Sequence, residues 1–341
     1  MIVRLLSSAF VVTVILTFFY KRIANRLGVF AKPNYRSSHN RPIPTGGGII
    51  ISFIFIWSAI YFLFFIEKVS SEIFQIAVGI AVGGIAITIV GFIDDVVETR
   101  ALTKLFIQIM LSIWIVFLFV ENLQTMFEVM SGYFYWPFIF LALFFLVWLI
   151  NVFNFMDAID GMALSGSLLI ACSAALIILT FQGSNENSVM FFLLGIVCLG
   201  FLLFNFPPAS IFMGDAGSLF LGYIFGCLIV KTIVDNDINI WTWLILLGHF
   251  LTETTLATLL RIKLTRKWYK AHRSLAYQNL ARILESHRKV TAGSIIFHLV
   301  WLFPLAFISA SKPEMGLILF LLAIFPVVLV TIRFGPLFSI E

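Results

Sequence analysis

Apolar runs long enough to cross a bilayer recur along this chain from Ile2 to Thr331, separated by short polar connections. A run of about 18 or more apolar residues reads as a transmembrane helix, because in hydrocarbon every backbone N–H and C=O must be satisfied within its own segment. Spanning strands would be about 10 residues long with alternating polarity. These runs are longer and apolar all round, so the expected fold is all-α, a polytopic membrane helix bundle. Eleven spans fit, at about 2–20, 46–66, 74–93, 103–121, 136–152, 163–182, 189–207, 217–234, 240–260, 293–311 and 315–333. Composition agrees: 61% of the 341 residues are hydrophobic and 11% charged, where a soluble domain carries roughly a quarter charged residues.

The first run ends at Lys21-Arg22 with no small-x-small cleavage pattern, which reads as a retained helix rather than a signal peptide. Cys172, Cys198 and Cys227 all lie in apolar runs, as buried thiols do. With no internal repeat, low-complexity segment or polar appended region, residues 1–341 are expected to form a single integral membrane domain.

Alternate connections of an eleven-span chain fall on opposite sides. One side holds 21–45, 94–102, 153–162, 208–216, 261–292 and the C-terminus, and it carries 18 of the 22 Lys and Arg. Basic residues concentrate in cytoplasmic connections, so the N-terminus is expected outside and the C-terminus in the cytoplasm.

That same basic face holds three acidic stretches: GFIDDVVETR with Asp94, Asp95 and Glu98, NVFNFMDAIDG with Asp157 and Asp160, and FPPASIFMGDAGSLFLG with Asp215. A lone aspartate at a helix end is ordinarily a cap or a solvated group. Six acids in three connections of one face point instead to an oxygen-rich site for a hard cation, Mg²⁺ or Mn²⁺. TGGG at 45–48, DGMA at 160–163 and GDAGS at 214–218 each open an outward-running helix, whose free N–H groups favour phosphate. Metal ligands, anion-binding helix starts and basic loops on one face together suggest phosphoryl transfer at a membrane surface. Asn154, Asp157 and Asp160, three apart, are expected along one helical stripe. Lys104 and Gln108 open the fourth span beside the aspartate pair, and Lys104 fits either a phosphate contact or an interfacial anchor. His249 and Glu253, four apart in the ninth span, fit either an acceptor-lipid contact or, better, an intramembrane structural pair, and His298 reads as structural.

In order and spacing, GFIDD, NxxNFMDxIDG and PPAxxFMGDxGSLFLG resemble the polyprenyl-phosphate N-acetylhexosamine-1-phosphate transferases, over about residues 20–290. The RSSHxxPxPxGGG and HRSxxYQ loops are most similar to the branch that initiates O-antigen or capsular polysaccharide. The resemblance implies transfer of HexNAc-1-phosphate from a UDP-N-acetylhexosamine to undecaprenyl phosphate, with release of UMP, at the cytoplasmic face of a bacterial inner membrane. It implies Asp94 and Asp95 as the catalytic pair, and Asp215 as a magnesium ligand beside them. It also implies Asn154, Asp157 and Asp160 on the nucleotide side, Asn205 near the site, and His272 and Arg273 in the loop that reads the sugar and diphosphate; Arg41, in a basic loop just before a glycine-rich helix start, fits an anionic substrate by its own chemistry. Leu275 stands where many such members carry a second histidine, and Thr45 where an arginine is common. The implied partners are the two substrates and the lipid bilayer; a homodimer is compatible with it, and no nucleic acid is expected.

Two rivals bound this reading. A cation-coupled transporter uses intramembrane carboxylates, but its site sits near the bilayer midplane on broken helices, whereas these acids gather at one face. A CDP-alcohol phosphotransferase would show a DG…AR…G…D…D pattern, which is absent.

Overall fold

The computed structural model describes residues 1–31, 42–66, 71–97, 99–119, 135–264 and 274–338. Among them, ten helical segments are long and apolar enough to cross a membrane, or eleven when one bent pair is counted as a span. This agrees with the bundle read from the sequence. Besides helices, the described residues hold one two-stranded antiparallel pair, β1 (Phe30–Ala31) and β2 (Ile43–Pro44).

The N-terminal half comprises α1 (Ile2–Leu27), α2 (Gly48–Tyr61), α3 (Ser71–Val78), α4 (Gly84–Val97), α5 (Ala101–Leu118) and α6 (Tyr135–Met156). The remainder comprises α7 (Met162–Phe181), α8 (Glu186–Asn205), α9 (Gly214–Val234), α10 (Ile240–Leu246) and α11 (Gly248–Leu264). They are followed by α12 (Ala276–Ile283), α13 (His287–Phe297), α14 (Phe303–Ser311) and α15 (Gly316–Phe334).

Several helices outrun their apolar stretches, because polar residues at the ends still satisfy the backbone by continuing the helix. The third span persists to Val97, so Asp94 and Asp95 stand within the last turn of α4 rather than after it. The fifth persists to Met156, which keeps Asn154 helical but leaves Asp157 and Asp160 beyond the helix end. The expected stripe of Asn154, Asp157 and Asp160 on one helix is therefore corrected: only the first is on it. The ninth span is not straight either, because α10 and α11 meet at 75° across Leu247.

The central helix is α9, whose apolar side chains are buried almost all round. It packs against α2, α4 and α6. Two glycines let backbones meet at its start. A methyl group on Gly48 would lie 2.1 Å from the Gly217 nitrogen, and one on Gly91 would lie 2.4 Å from the Asp215 carbonyl oxygen. Real Cβ atoms do not approach so closely, so α2 and α4 reach the first turn of α9 only because these positions lack a side chain. At the far end of α9, buried Lys231 pairs with Asp235 and Glu186, and Asn187 donates to both Asp235 and Asp237. The acids in that connection lock loop to helix.

Candidate active site

The end of α4, the start of α5, the end of α6 and the start of α9 converge. Their polar groups form one connected network. Asp94 accepts from the Thr99 backbone at 2.7 Å and the Thr99 hydroxyl at 2.6 Å. Its other oxygen takes the Lys104 ammonium at 2.8 Å, and the same ammonium reaches Asp215 at 3.0 Å. Asn154 donates to the second Asp215 oxygen at 2.8 Å and contacts the Ser218 hydroxyl at 3.0 Å. One turn back on α6, Asn151 donates to Gln108 at 2.7 Å, tying α6 to α5. Lys104 thus lies inside the acidic cluster, and the side chains of Lys104 and Asp215 keep 23% and 24% exposure, open to a soluble reactant.

Asp95, the neighbour of Asp94, does something different. Its two oxygens accept the N–H groups of Asp215 at 2.8 Å and Ala216 at 3.1 Å. A carboxylate at a helix start meets free donors and the positive end of the dipole. Asp95 therefore caps α9 from another helix and fixes where Asp215 begins.

The three helix starts expected to offer free N–H groups to phosphate are largely occupied from within. Those of α9 go to Asp95. At the start of α2, Gly47 donates to the Phe212 carbonyl at 3.1 Å and Gly48 to that of Met213 at 2.8 Å. Before α7, Gly161 donates to Asn205 at 3.1 Å. That expectation is corrected on a physical ground: where backbones approach this closely, buried donors find protein partners first. Asn205 is itself buried, and its amide nitrogen donates to the Ile211 carbonyl at 2.9 Å, so its side chain faces the protein.

Asp160 also holds loops together. One oxygen accepts from the Ala209 backbone at 2.9 Å, the other lies 3.1 Å from His287 Nδ1, and its carbonyl accepts from Thr291 at 2.9 Å. It borders a polar cleft of about 1040 Å³ that Lys21, Pro44, Ser210, Arg282 and Arg288 also line. Asp157 is the contrast. Among the described residues its carboxylate has no hydrogen-bond or ion-pair partner, and it is half-buried. Burial comes first, then the charges of Asp215, Asp95 and Asp160, in pushing its pKa well above the usual carboxylate range.

Of the four aspartates at 94, 95, 157 and 215, only Asp94 and Asp215 touch the one described ammonium, that of Lys104. This excess of hard oxygen donors suits a divalent cation. Asp94 and Asp215, which already share the Lys104 cation, are the pair that could hold one. Among the described residues no three acid, histidine or cysteine side chains stand close enough to form a ligand sphere by themselves, so substrate oxygens or water would complete one. Arg41, His272, Arg273 and Glu98 lie outside the described residues.

The sequence model of glycosyl transferase family 4 matches residues 77–233, which hold every one of these aspartates, Lys104 and Asn154. A Bacillus subtilis protein, probable undecaprenyl-phosphate N-acetylglucosaminyl 1-phosphate transferase, is 29% identical across 91% of this chain and 85% of its own length. The chain belongs to glycosyl transferase family 4. Further relatives in the family agree. The undecaprenyl-phosphate alpha-N-acetylglucosaminyl 1-phosphate transferase of Escherichia coli K12 is 30% identical over 67% of this chain. A phospho-N-acetylmuramoyl-pentapeptide-transferase of Streptococcus pneumoniae is 31% identical over 62% of it. These two matches span 61% and 65% of the relatives' lengths, less than two thirds of each. Membership of a transferase family sets aside the transporter reading.

Two further contributors emerge. Tyr277 enters the sequence reading only as the tyrosine of the HRSxxYQ loop, yet its hydroxyl reaches the Phe155–Ala158 turn. His287 carries no signal in the sequence and meets Asp160.

Proposed function

We propose that this chain transfers HexNAc-1-phosphate from a UDP-N-acetylhexosamine to undecaprenyl phosphate, releasing UMP, and so starts a lipid-linked surface glycan of the O-antigen kind. The site lies on the cytoplasmic face of a bacterial inner membrane, with the N-terminus outside and the C-terminus inside. The observation that carries this reading is the pair Asp94 and Asp215 brought onto one cation at the convergence of four helix ends, inside the stretch shared with the family. The names of the relatives supply the acceptor and the type of group transferred.

In the reaction an oxygen of the acceptor phosphate attacks the β-phosphorus of the donor. The bond from that phosphorus to the bridging oxygen breaks, and UMP leaves with the electron pair. The acceptor phosphate needs little help in losing its proton, since the second ionisation of a phosphate monoester lies near 6. Positioning and charge neutralisation are then the main tasks. Asp94 and Asp215 would hold Mg²⁺ or Mn²⁺, which when bound would supply charge neutralisation for the diphosphate. Lys104 adds a fixed cation beside these acids. Asn154 holds one Asp215 oxygen and so sets the orientation of that carboxylate. Asp95 anchors the first turn of α9. Asp157, with no protein partner among the described residues, is free to accept from donor hydroxyl or amide groups. His272 and Arg273 are assigned to the donor by the family resemblance, and Arg41 by the basic, glycine-flanked loop that carries it.

The test is transfer of label from a panel of UDP-sugars into organic-extractable lipid by purified protein, with magnesium or with a chelator. Magnesium-dependent labelling that requires undecaprenyl phosphate is the expected result. No labelling from any UDP-N-acetylhexosamine would overturn the proposal.

A further inference from the structure

The turn that carries Asp157 is not held by its own helix. α6 stops at Met156, and no regular helix resumes until Met162. Across this gap a single hydroxyl bridges the backbone. Tyr277 donates to the Phe155 carbonyl at 2.6 Å and accepts from the Ala158 N–H at 3.3 Å. Its two contacts flank Met156 and Asp157.

Tyr277 is in turn held from behind. Its backbone N–H donates to Glu253 Oε1 at 2.8 Å. The other Glu253 oxygen faces His249 Nε2 at 3.2 Å, and His249 Nδ1 meets the Ser294 hydroxyl at 3.1 Å. The pair expected as an intramembrane structural contact is thus the base of a chain running from α13 through α11 to α12 and on to the end of α6. α12 is capped locally, Gln278 accepting from the Leu275 N–H at 3.2 Å, and is pinned at one more point, where Asn279 donates to the Phe334 carbonyl at 2.5 Å. Both Tyr277 and Glu253 are buried. Both lie beyond residue 233, where the family match ends, yet they act on a turn inside it.

We propose that Tyr277, seated by Glu253, is a positioning residue for the sugar-nucleotide donor, acting by fixing the Phe155–Ala158 turn and hence the place of the Asp157 carboxylate. The inference rests on the reading of Asp157 as a donor-side group. Its physical basis is geometric. Asp157 sits between the two backbone groups that the Tyr277 hydroxyl ties together, and its carboxylate has no hydrogen-bond or ion-pair partner among the described residues to hold it in place. Reactant misplacement of about 1 Å can cost roughly 100-fold in rate, so a tie of this kind has a consequence beyond stability.

The experiment uses the full chain in lipid nanodiscs. Tyr277→Phe removes only the bridging hydroxyl. Glu253→Gln keeps an oxygen for the Tyr277 N–H, and Glu253→Leu removes it. Two readouts are taken: hydrogen–deuterium exchange over residues 156–161, and separate Michaelis constants for UDP-sugar and undecaprenyl phosphate. Tyr277→Phe is expected to speed exchange in the turn by roughly 5- to 10-fold, the yield of one neutral hydrogen bond. It should raise the donor KM by a similar factor with the acceptor KM unchanged. Glu253→Leu should behave like Tyr277→Phe, and Glu253→Gln like the parent. Unchanged exchange in Tyr277→Phe, or equal shifts in both KM values, would overturn the positioning role. A parent protein that uses no UDP-sugar would sink the transferase reading instead, and the exchange comparison would still decide whether Tyr277 holds the turn.

Discussion

The ammonium of Lys104 lies between Asp94 and Asp215, 2.8 Å from one carboxylate and 3.0 Å from the other. One cation therefore spans the end of α4 and the start of α9. Removing it leaves two acids with like charge and, in the proposed reaction, takes a fixed positive group from beside the donor diphosphate. A charge-assisted hydrogen bond contributes on the order of 1.5–3 kcal/mol. Lys104→Met is thus expected to lower kcat/KM for the donor by roughly 10- to 150-fold. Donor kinetics at saturating acceptor check this, and an unchanged kcat/KM would return Lys104 to the role of an interfacial anchor.

Asp215 and Asp95 differ in what their carboxylates touch, and their amide variants separate the two roles. Asn is a poor, neutral ligand for magnesium. Asp215→Asn should nearly abolish turnover while the protein elutes as a folded species. Asp95→Asn keeps one oxygen for the α9 N–H groups, whereas Asp95→Ala keeps none. Loss of a helix cap costs about 1 kcal/mol, up to 2, so Asp95→Ala should melt lower than Asp95→Asn in a thermal-shift assay. Equal melting of the two variants would mean that capping is not what Asp95 does.

Much of this arrangement is legible in the amino-acid sequence. Runs of Ile, Leu and Phe over a bilayer's width admit one kind of structure, and the spans followed. The acids stood out because a basic face is a poor place for them. What could not be read was pairing. Asp94 and Asp95 are neighbours in the chain, yet one faces Lys104 and the other the α9 backbone, because successive helical residues point about 100° apart. The donors of Gly47 and Gly48 looked free because their partners, Phe212 and Met213, are distant in sequence and arrive only through close backbone packing. The break at Leu247 carries no proline to announce it.

The basic asymmetry makes the topology testable. With 18 of 22 Lys and Arg on one side, a reporter fused after Glu341 should behave as cytoplasmic. A reporter inserted next to Asn185, in the turn between α7 and α8, should behave as external. A cytoplasmic signal at Asn185 would reverse the assigned orientation or change the number of spans.

Gly91 offers a test of how the site is assembled. A methyl group there would lie 2.4 Å from the Asp215 carbonyl oxygen and 2.6 Å from the Ala216 nitrogen, both backbone atoms of the first turn of α9. A flexible side chain could move aside, but this turn is held by Asp95, Asn154 and the Gly48–Gly217 contact. Overpacking a well-filled interior costs about 1–3 kcal/mol, and here the strain falls on the segment that positions Asp215. Gly91→Ala is therefore expected to lower the melting temperature and to lower activity further than the loss of folded protein explains. Gly293→Ala is the control, since an added methyl there meets nothing within 4 Å and alanine favours the helix. Activity per folded molecule, from a size-exclusion assay of tagged protein alongside the transfer assay, separates the two variants. If Gly91→Ala matches Gly293→Ala in both, α4 and α9 do not meet as closely as these distances state.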